Sequence, residues 1–352
     1  MHKSMKSYIA IIATLFCTCT LYSANFSVIN SLDSGPGSLR DAILQAAQNP
    51  GPDIIDIDLA SGTIIEITSQ DNSFNIFPSI NDVTINGNGV VLQSLLTVGR
   101  FFQIGGASTI NDLIFDNGIS TGTSGAVFAL GNTTFNRCLF VNNQASSGGA
   151  IRAFSGIITL NNCTLRNNTA STGAAILINS AATLNLNQST LSDNTVIPGS
   201  GAATISVFGT LNMTNTIVAN SLPAGALDIF DSGNTIVINS SNLVENFQCG
   251  GPGCASIVFD SAFDPELIPT DDGPYFLYAI DPNSPAGLLG AGALFGPGGE
   301  ALLLPEMAAT IPTLGEWAII NLTLLLMIIG TVVIQSKTKV SIFTISESSL
   351  YS

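Results

Sequence analysis

Positive charge and histidine are scarce in this sequence of 352 residues. Residues 25–310 include five arginines, no lysine and no histidine, and the whole chain has a formal net charge of −15. Such a surface repels nucleic acid, which excludes a nucleic-acid partner. The only histidine is His2. The rest of the chain therefore cannot use imidazole as a general base, a zinc ligand or a member of a catalytic triad.

Motifs for cofactors and activated nucleophiles are also missing. Residues 118–122 (GISTG) match the nucleophile-elbow pattern, but no histidine is available to activate Ser120. No phosphate-cradling GK[ST] motif occurs, and we expect neither a cofactor nor a metal site. Disorder is excluded for most of the chain, because 46% of its residues are hydrophobic and only 9% are charged.

Residues 1–24 have the organisation of a secretory signal peptide. Lys3 and Lys6 form a positive start, residues 8–16 form an apolar core, and Ala24 is a small residue before the cleavage point. We therefore predict ordinary export. A lipoprotein attached through Cys17 is the weaker alternative, because large residues precede this cysteine.

A second apolar run lies near the C-terminus. Residues 317–334 just reach the length needed to cross a hydrocarbon core. Trp317 suits the outer interface, and Lys337 and Lys339 suit the cytoplasmic side. We predict one transmembrane helix over residues 317–334, which makes the membrane a partner of this chain.

The residues before this span carry a specific motif. The sequence IPTLGEW, followed by a span and lysines, resembles the IPTL-CTERM sorting signal of Gram-negative bacteria. The resemblance implies that residues 311–339 are recognised by a membrane sorting protease or transpeptidase of the exosortase type, in the cell envelope. The motif residues are Ile311, Pro312, Thr313, Leu314, Glu316 and Trp317. A plain anchor that is never cut is the alternative, and residues 340–352 form a tail.

The central chain repeats with a period in the mid-twenties. An apolar-x-x-Asn unit recurs with its asparagines 26, 25, 26, 26 and 26 residues apart, at Asn117, Asn143, Asn168, Asn194, Asn220 and Asn246. Short alternating runs rich in Ile, Leu, Val and Thr lie between these units and indicate strands. The pattern predicts an all-β fold, a right-handed single-stranded parallel β-helix, or solenoid.

Stacked coils place equivalent residues in columns about 4.8 Å apart. We therefore predict that the six asparagines form one structural ladder at a turn, where asparagine also tolerates the left-handed conformation. Cys138 and Cys163 fall in a second column. They are either buried fillers or a disulfide between adjacent coils.

Parts of the repeat resemble known bacterial proteins. Residues 148–151 (GGAI) with residues 140–143 (FVNN) resemble the paired signatures of chlamydial polymorphic outer-membrane proteins. Residues 263–267 (FDPEL) and 281–287 (DPNSPAG) resemble the closing segment of bacterial β-helix proteins of the choice-of-anchor group, and the resemblance covers roughly residues 26–292. We expect the β-helix over residues 25–287, closed by an N-terminal capping helix, and a linker over residues 288–310.

Cys249 and Cys254 lie in a Gly/Pro-rich loop (CGGPGC). Export takes the chain to an oxidising compartment, so we predict a local disulfide between them. A metal site is less favoured, because no further cysteine or histidine lies nearby.

Polysaccharide-cleaving enzymes often use a parallel β-helix, and they need paired carboxylates or a base beside calcium or arginine. The candidates are Asp53, Asp56 and Asp58, of which Asp56 and Asp58 point the same way along a strand. Asp228 with Asp231 is a second acidic pair.

The missing catalytic residues favour a non-catalytic surface protein with an adhesion, matrix or glycan-contact role. Its partner is then a glycan or a surface protein. Arg152 and Arg166 are either one anion-binding face or two separate solvated arginines. The alternatives are a carboxylate-based polysaccharide lyase or glycoside hydrolase, and a passive structural spacer.

Overall fold

The structure is a computed structural model that describes residues 23–69, 80, 82–199, 201–233, 235–239, 242–248, 258–259, 267–269, 275 and 278–280. The described chain is a parallel β-solenoid of about eight turns with little helix, which confirms the predicted repeat architecture. The chain divides into two units, Met1–Leu302 and Leu303–Ser352, and the second lies outside the described residues.

One helix and 25 strands are described. The helix is α1 (Leu39–Ala46). The strands are β1 (Asn25–Val28), β2 (Asp53–Ile57), β3 (Ile64–Ile67), β4 (Val83–Ser94), β5 (Phe102–Ile104), β6 (Ser108–Asp116), β7 (Val127–Ala129), β8 (Thr133–Asn136), β9 (Leu139–Val141), β10 (Ile151–Asn161), β11 (Thr164–Arg166), β12 (Thr169–Ala170), β13 (Ile176–Asn187), β14 (Thr190–Ser192), β15 (Thr195–Val196), β16 (Ile205–Val207), β17 (Thr210–Thr214), β18 (Ile217–Ala219), β19 (Ile229–Asp231), β20 (Thr235–Asn239), β21 (Leu243–Val244), β22 (Phe247–Gln248), β23 (Val258–Phe259), β24 (Leu267–Pro269) and β25 (Tyr278–Ile280).

Three columns of parallel strands run along the solenoid. Column A contains β5, β7, the first part of β10, the first part of β13, β16, β19 and β22. Column B contains β1, β2, the first parts of β4 and β6, β8, the later parts of β10 and β13, β17 and β20. Column C contains β3, the later parts of β4 and β6, β9, β11, β14, β18, β21 and β23.

Two short pairs lie outside these columns. β12 pairs in parallel with β15, and β24 pairs in antiparallel with β25. In column B the steps between equivalent residues from Asn111 to Asn212 are 25 to 27 residues, so they agree with the period in the sequence.

Alternation within each strand builds the core. In column B, one inward-facing position is occupied in successive coils by residues with no exposed surface, namely Ile110, Phe135, Leu160, Leu186 and Met213. Full burial of one such side chain stabilises the fold by roughly 1.5–3 kcal/mol. Because each side chain packs on its equivalents in the neighbouring coils, the core is continuous along the axis.

Left-handed residues bound five strands of column C, namely the later part of β6 and β9, β11, β14 and β18. A positive φ occurs before the strand at Asp112, Arg137, Asn162, Gln188 and Asn215. It occurs again after the strand at Asn117, Asn142, Asn167, Asp193 and Asn220. Asparagine and aspartate dominate because their short polar side chains tolerate this conformation better than most.

The helix α1 packs at the N-terminal end of the core. Ser38 caps it by accepting a hydrogen bond from the Asp41 N–H at 3.2 Å. Its buried face (Leu39, Ala42, Ile43 and Ala46) belongs to the same apolar cluster as the strands β1 and β2. A helix that buries one apolar stripe in this way shields the first coils from water.

The two glycines of the GGAI segment (residues 148–151) have different structural roles. Gly148 has φ +67°, which an L-residue rarely adopts. A Cβ atom on Gly149 would lie 2.0 Å from the Ala174 carbonyl oxygen of the next coil. The first glycine therefore permits the turn, and the second permits the close stacking of the coils.

The outer surface of column C is covered. Val91, Ile114, Leu139 and Val141 form a buried cluster against Tyr275. Ile217, Ala219 and Leu243 form another against Leu267. Leu267 and Tyr275, which follow the last coil, therefore lie on this surface. Among the described residues, the outer side of column B stays partly exposed, and column A is open at Phe128 and Arg152 but buried at Leu177 and Ser206.

None of the helices in the described part of the chain has the length and hydropathy of a membrane span. The predicted transmembrane helix over residues 317–334, the sorting motif, the linker, the tail, and Cys249 with Cys254 lie outside the described residues. Residues 1–22 of the predicted signal peptide also lie outside them.

Candidate functional site

The three candidate carboxylates at the first coil do not all lie on the same face of the sheet. Asp53 is 2% exposed and points inward, where it accepts hydrogen bonds from the Ala24 N–H at 2.9 Å and from Asn49 Nδ2 at 2.6 Å. Asp56 points outward, and Asp58 is exposed. Asp56 and Asp58 therefore share the outer side, as the spacing predicts, whereas Asp53 is separated from them by the sheet.

Asp56 has a structural partner on each side. Its Oδ2 accepts a hydrogen bond from Asn25 Nδ2 at 2.9 Å, and its Oδ1 accepts one from Asn86 Nδ2 at 2.6 Å. Amide donors thus occupy both oxygens of the carboxylate. The geometry makes Asp56 the end of a polar row rather than one member of a catalytic pair.

That row is an asparagine ladder on the outer side of column B. Asn111 Nδ2 donates to Asn86 Oδ1, Asn136 Nδ2 to Asn111 Oδ1, and so on along the solenoid at 2.7–2.9 Å to Asn161 and Asn187. Every amide donates toward the N-terminus, where the Asp56 carboxylate accepts the last bond. Each amide retains one N–H and spare acceptor capacity for a ligand or water.

A second outer column runs beside this ladder, two residues earlier in each strand. It contains Thr84, Thr109, Thr134, Thr159, Asn185 and Asn212. Within the described chain, the hydroxyls of Thr84, Thr109 and Thr134 make no hydrogen bond, and these side chains are partly exposed. We call the two columns together the Thr–Asn face. Its polar groups repeat about every 4.8 Å between coils and about 6.6 Å along each strand.

The sequence contains a signal for this face that hydrophobic periodicity does not detect. Thr-x-Asn occurs once per coil, at residues 84–86, 109–111, 134–136 and 159–161. Hydrophobic periodicity alone finds the inward residue between the two polar ones. A repeated polar pair at the same period indicates the outer face.

The predicted asparagine ladder consists of two columns instead of one. Asn143, Asn168 and Asn194 have no exposed surface and point inward. Asn143 Nδ2 donates to Asn168 Oδ1, and Asn168 Nδ2 donates to Asn194 Oδ1, both at 3.0 Å. These three side chains form a buried ladder.

Each buried asparagine also satisfies the backbone. Asn143 Nδ2 donates to the Phe115 carbonyl at 3.1 Å, and Asn168 Nδ2 donates to the Phe140 carbonyl at 3.0 Å. Their Oδ1 atoms accept backbone N–H bonds from the preceding coil at 2.9–3.1 Å. Buried polar groups that are all paired stabilise a unique register of the coils.

Asn117 and Asn220 belong to the neighbouring column of left-handed residues, so their placement in the same ladder was wrong. The strand pairing of β18 with β21 aligns Asn246 with Asn220. The misassignment has a simple cause. Where two asparagines are adjacent, as at residues 142–143, apolar-x-x-Asn matches either one, and coil steps of 25 and 26 residues hide the shift.

The two arginines considered as one face lie on different columns. Arg166 is 1% exposed on the covered side of column C. Arg152 points outward from column A. Neither expectation, one shared face or two solvated arginines, describes Arg166, because the outer side of its sheet is buried.

Arg152 instead joins a cluster on the outer side of column A, which we call the Arg–Phe patch. It contains Arg100, Phe128, Arg152 and Phe154. The Cζ atoms of Arg100 and Arg152 lie 5.1 Å and 5.9 Å from the centroid of the Phe128 ring, and the Arg152 Cζ lies 5.5 Å from that of Phe154. The two rings are 5.5 Å apart at 58°. These are the distances of cation–π contacts.

A buried carboxyl group lies further along the solenoid. Ser221 Oγ donates to Asp228 Oδ1, and the backbone N–H groups of Glu245 and Asn246 donate to Oδ2 at 2.9 and 2.7 Å. Thr204 Oγ1 lies 2.6 Å from Ser221 Oγ. Burial raises the pKa of Asp228 to about 7, although the hydrogen bonds to its carboxylate oppose this shift.

The groups that hydrogen-bond to the Asp228 carboxylate come from neighbouring turns of the solenoid. These bonds link the turn after column C to column A, and a hollow of about 360 Å³ beside it is lined by Asp193 and Glu245 among others. Asp231, its predicted partner, is 2% exposed and accepts a bond from the Gly233 N–H at 3.1 Å in a turn. The two aspartates therefore serve separate turns.

Cys138 and Cys163 are buried free thiols in one column. Each Sγ lies 3.5 Å from two backbone carbonyl oxygens. Ser189 and Thr216 make equivalent bonds in the following coils. The column thus uses a small donor at this turn, and the thiols act as such donors as well as fillers.

Ser120 is 7% exposed, and its Oγ accepts a hydrogen bond from the Gly122 N–H at 3.2 Å within a turn. Among the described residues no group of three or more metal-ligating side chains is found. No protein-family model, curated protein or solved structure matches this chain. What its open faces can bind follows from their own side chains, namely the Thr–Asn face and the Arg–Phe patch.

Proposed function

We propose that this is an exported cell-envelope protein, a right-handed parallel β-helix that contacts glycans through its Thr–Asn face without cleaving them. The observation that carries the proposal is the row of hydroxyl and amide groups held in register along column B. A glycan chain offers hydroxyl groups as donors and acceptors along its whole length. A flat row of both kinds of group is complementary to it.

Rigidity supports this function. The ladder bonds of 2.7–2.9 Å fix the amide orientations before any ligand arrives. Since little side-chain entropy remains to be lost on binding, many weak polar contacts add to a useful affinity. The neighbouring threonines add hydroxyls on a branched side chain that is itself stiff.

The carboxylates of the described chain support a non-catalytic role. Asp56 ends the ladder, Asp53 faces the interior, and Asp228 is enclosed by donors from its own turn. Hydrolysis of a glycosidic bond uses two carboxyl groups on either side of one bond. Of the aspartates proposed for that chemistry, Asp53, Asp56 and Asp228 have structural partners, and Asp58 is exposed.

The ends of the chain support export and membrane sorting. The signal peptide over residues 1–24 and the IPTL-type motif at residues 311–317 are sequence features, and they agree with a rigid solenoid presented from an envelope membrane. The linker over residues 288–310 would separate the solenoid from that membrane. A sorting protease or transpeptidase is the partner proposed for the tail.

Removal of three hydroxyls tests the proposed face. We expect the triple variant Thr84→Val, Thr109→Val and Thr134→Val to fold, because valine keeps the branched shape on an outer strand position. Its affinity for the neutral polysaccharides that the wild type retains should fall by roughly a hundredfold, since three hydrogen bonds of about 1 kcal/mol each are lost. Full-length protein in detergent is assayed on immobilised cellulose, xylan and galactan.

The matched control carries Thr121→Val and Thr172→Val, which lie in turns away from the Thr–Asn face. It should bind as the wild type does. Equal binding by the triple variant and the wild type would contradict the proposal. Absence of any binding by the wild type would favour a passive spacer.

A further inference from the structure

Two of the five arginines in residues 25–310 converge on one aromatic ring. The other three are placed elsewhere: Arg40 pairs with Asp33 at 2.8 Å, Arg137 pairs with Asp112 at 2.6 Å, and Arg166 is buried. Arg100 and Arg152 both lie against Phe128. Among the described residues, the Arg–Phe patch therefore brings two positively charged side chains together, in a chain whose net charge is −15.

The two guanidinium groups affect each other. The pKa of Arg100 is lowered, first by burial and then by the charge of Arg152. Burial also lowers the pKa of Arg152. Arg100 is only 7% exposed and its Nη1 donates to Ser124 Oγ at 3.3 Å, so Arg152 is the guanidinium of this pair that an anionic ligand can reach.

The guanidinium group of Arg152 is fixed in place by its neighbours. Its Nε donates to Asn179 Oδ1 at 2.9 Å, and the Phe128 and Phe154 rings flank the guanidinium. Within the described residues Arg152 has no ion pair. Its Nη groups make no hydrogen bond there either, so they remain as donors for a carboxylate or a sulfate, which a planar guanidinium binds with two parallel bonds.

Phe154 supplies the apolar part of the patch. Its side chain is 41% exposed, although an exposed phenylalanine costs hydrophobic free energy. Ile157, at the same corner of the coil, is 50% exposed. An aromatic ring beside a charged donor suits a sugar, whose C–H face packs on the ring while its charged group meets the guanidinium.

The patch is continuous with the Thr–Asn face. Arg152 lies in the first part of β10, and Thr159 and Asn161 lie in the later part of the same strand. We propose that the Arg–Phe patch binds an anionic sugar residue, carrying a carboxylate or a sulfate, in a glycan that also contacts the Thr–Asn face. This inference rests on the proposed function and specifies its ligand class.

The test compares charged and neutral polymers on the full-length protein. The probes are alginate, its neutral propylene-glycol ester, dextran sulfate and dextran, with polyglutamate as an acidic peptide. We expect alginate or dextran sulfate to bind about tenfold or more tightly than its neutral counterpart and than polyglutamate, with an affinity that falls as salt rises. Which of the two binds identifies the charged group as carboxylate or sulfate.

Arg152→Gln should abolish this tenfold preference. Arg137→Gln is the matched control, because it removes one positive charge outside the patch, and it should keep the preference. If Arg152→Gln fails to fold, Phe154→Ala removes the exposed ring instead and should also weaken binding of the anionic polymer.

The failures of the two proposals differ. Equal binding of charged and neutral polymers, or an unchanged preference in Arg152→Gln, overturns the patch while the Thr–Asn face stands. Tight binding of polyglutamate also overturns it, in favour of an acidic protein partner. Conversely, a preference lost in Arg152→Gln, together with affinities for every polymer that the three Thr→Val substitutions leave unchanged, supports the patch and contradicts the Thr–Asn face.

Discussion

Asp228 shows how a single side chain can link pH to stability. Its carboxyl group has no exposed surface and accepts bonds from Ser221 and from two backbone N–H groups. Desolvation nevertheless outweighs these donors, and the pKa rises from 3.8 to about 7. From the sequence, Asp228 could be recognised only as an acidic residue near Asp231. Its burial could not be predicted, because burial depends on how distant coils stack.

A raised folded-state pKa has a definite sign in the pH dependence of stability. The folded state holds the Asp228 proton more tightly than the unfolded state, so this contribution is fully present below about pH 4. It is lost as the pH rises to about 7, and the loss amounts to about 4 kcal/mol at most. Denaturant titrations between pH 4 and pH 8 should show this fall in the wild type.

In Asp228→Asn this fall should be absent. The slope is the readout, since the amide donates where the carboxylate accepts and so lowers the stability at every pH. A variant with the wild-type slope would show that Asp228 is not the group that titrates.

Cys138 and Cys163 show what residue-level reasoning achieves. Their shared column follows directly from the repeat period, and the structure places both thiols in one buried column. Their hydrogen bonds to backbone carbonyls resemble those of Ser189 and Thr216. That equivalence becomes visible only when the coils are aligned by their true register.

At the scale of the coil, adjacent asparagines have different roles. Asn167 is exposed with φ +55°, whereas Asn168 is buried and bonded to the coils on both sides. The period of the sequence predicts that asparagine columns exist. It does not tell the inward column from the left-handed one, because both satisfy apolar-x-x-Asn.

Glycine substitutions separate these two roles. Asn167→Gly should change the free energy of unfolding by less than about 1 kcal/mol, because glycine adopts a positive φ readily. Asn168→Gly should cost roughly 2–4 kcal/mol, since it leaves buried donors and acceptors of two coils without partners. Chemical denaturation of both variants measures the difference.

Each substitution is the control for the other, because the residues are neighbours and the chemical change is identical. Equal losses in the two variants would contradict the assignment of the buried ladder to Asn168.

The Thr–Asn face shows a second limit at the element scale. Apolar alternation locates the inward residues of the strands, such as Phe135 and Leu160. The outer Thr-x-Asn pairs were present at the same period. They acquire meaning only when the register shows that each amide meets the next, since a lone Thr-x-Asn is a common tripeptide in any sheet.

For the whole molecule, the period alone predicts the solenoid, because only stacked coils bury short strands repeated every 25 to 27 residues. Which faces remain open could not be predicted in this way. The covering of column C depends on Leu267 and Tyr275, which come after the last coil. Tyr275 reaches Asp116 at 3.1 Å, across 159 residues of sequence.

The distribution of positive charge is also a property of the whole molecule. The five arginines of residues 25–310 are scattered along the sequence. In the fold, two form salt bridges, one lies on the covered side of column C and two lie in the Arg–Phe patch. The molecule then has two adjacent open faces of different chemistry. A neutral row suits hydroxyl groups, and a cationic aromatic patch suits an anionic group.

The central claim is that this solenoid binds glycans and does not cleave them. The most direct measurement incubates the full-length protein with a panel of polysaccharides and scores bound polymer and released oligosaccharide in the same samples. The account predicts retained polymer with no new reducing or unsaturated ends. Released product would contradict it and return attention to Asp56 and Asp58.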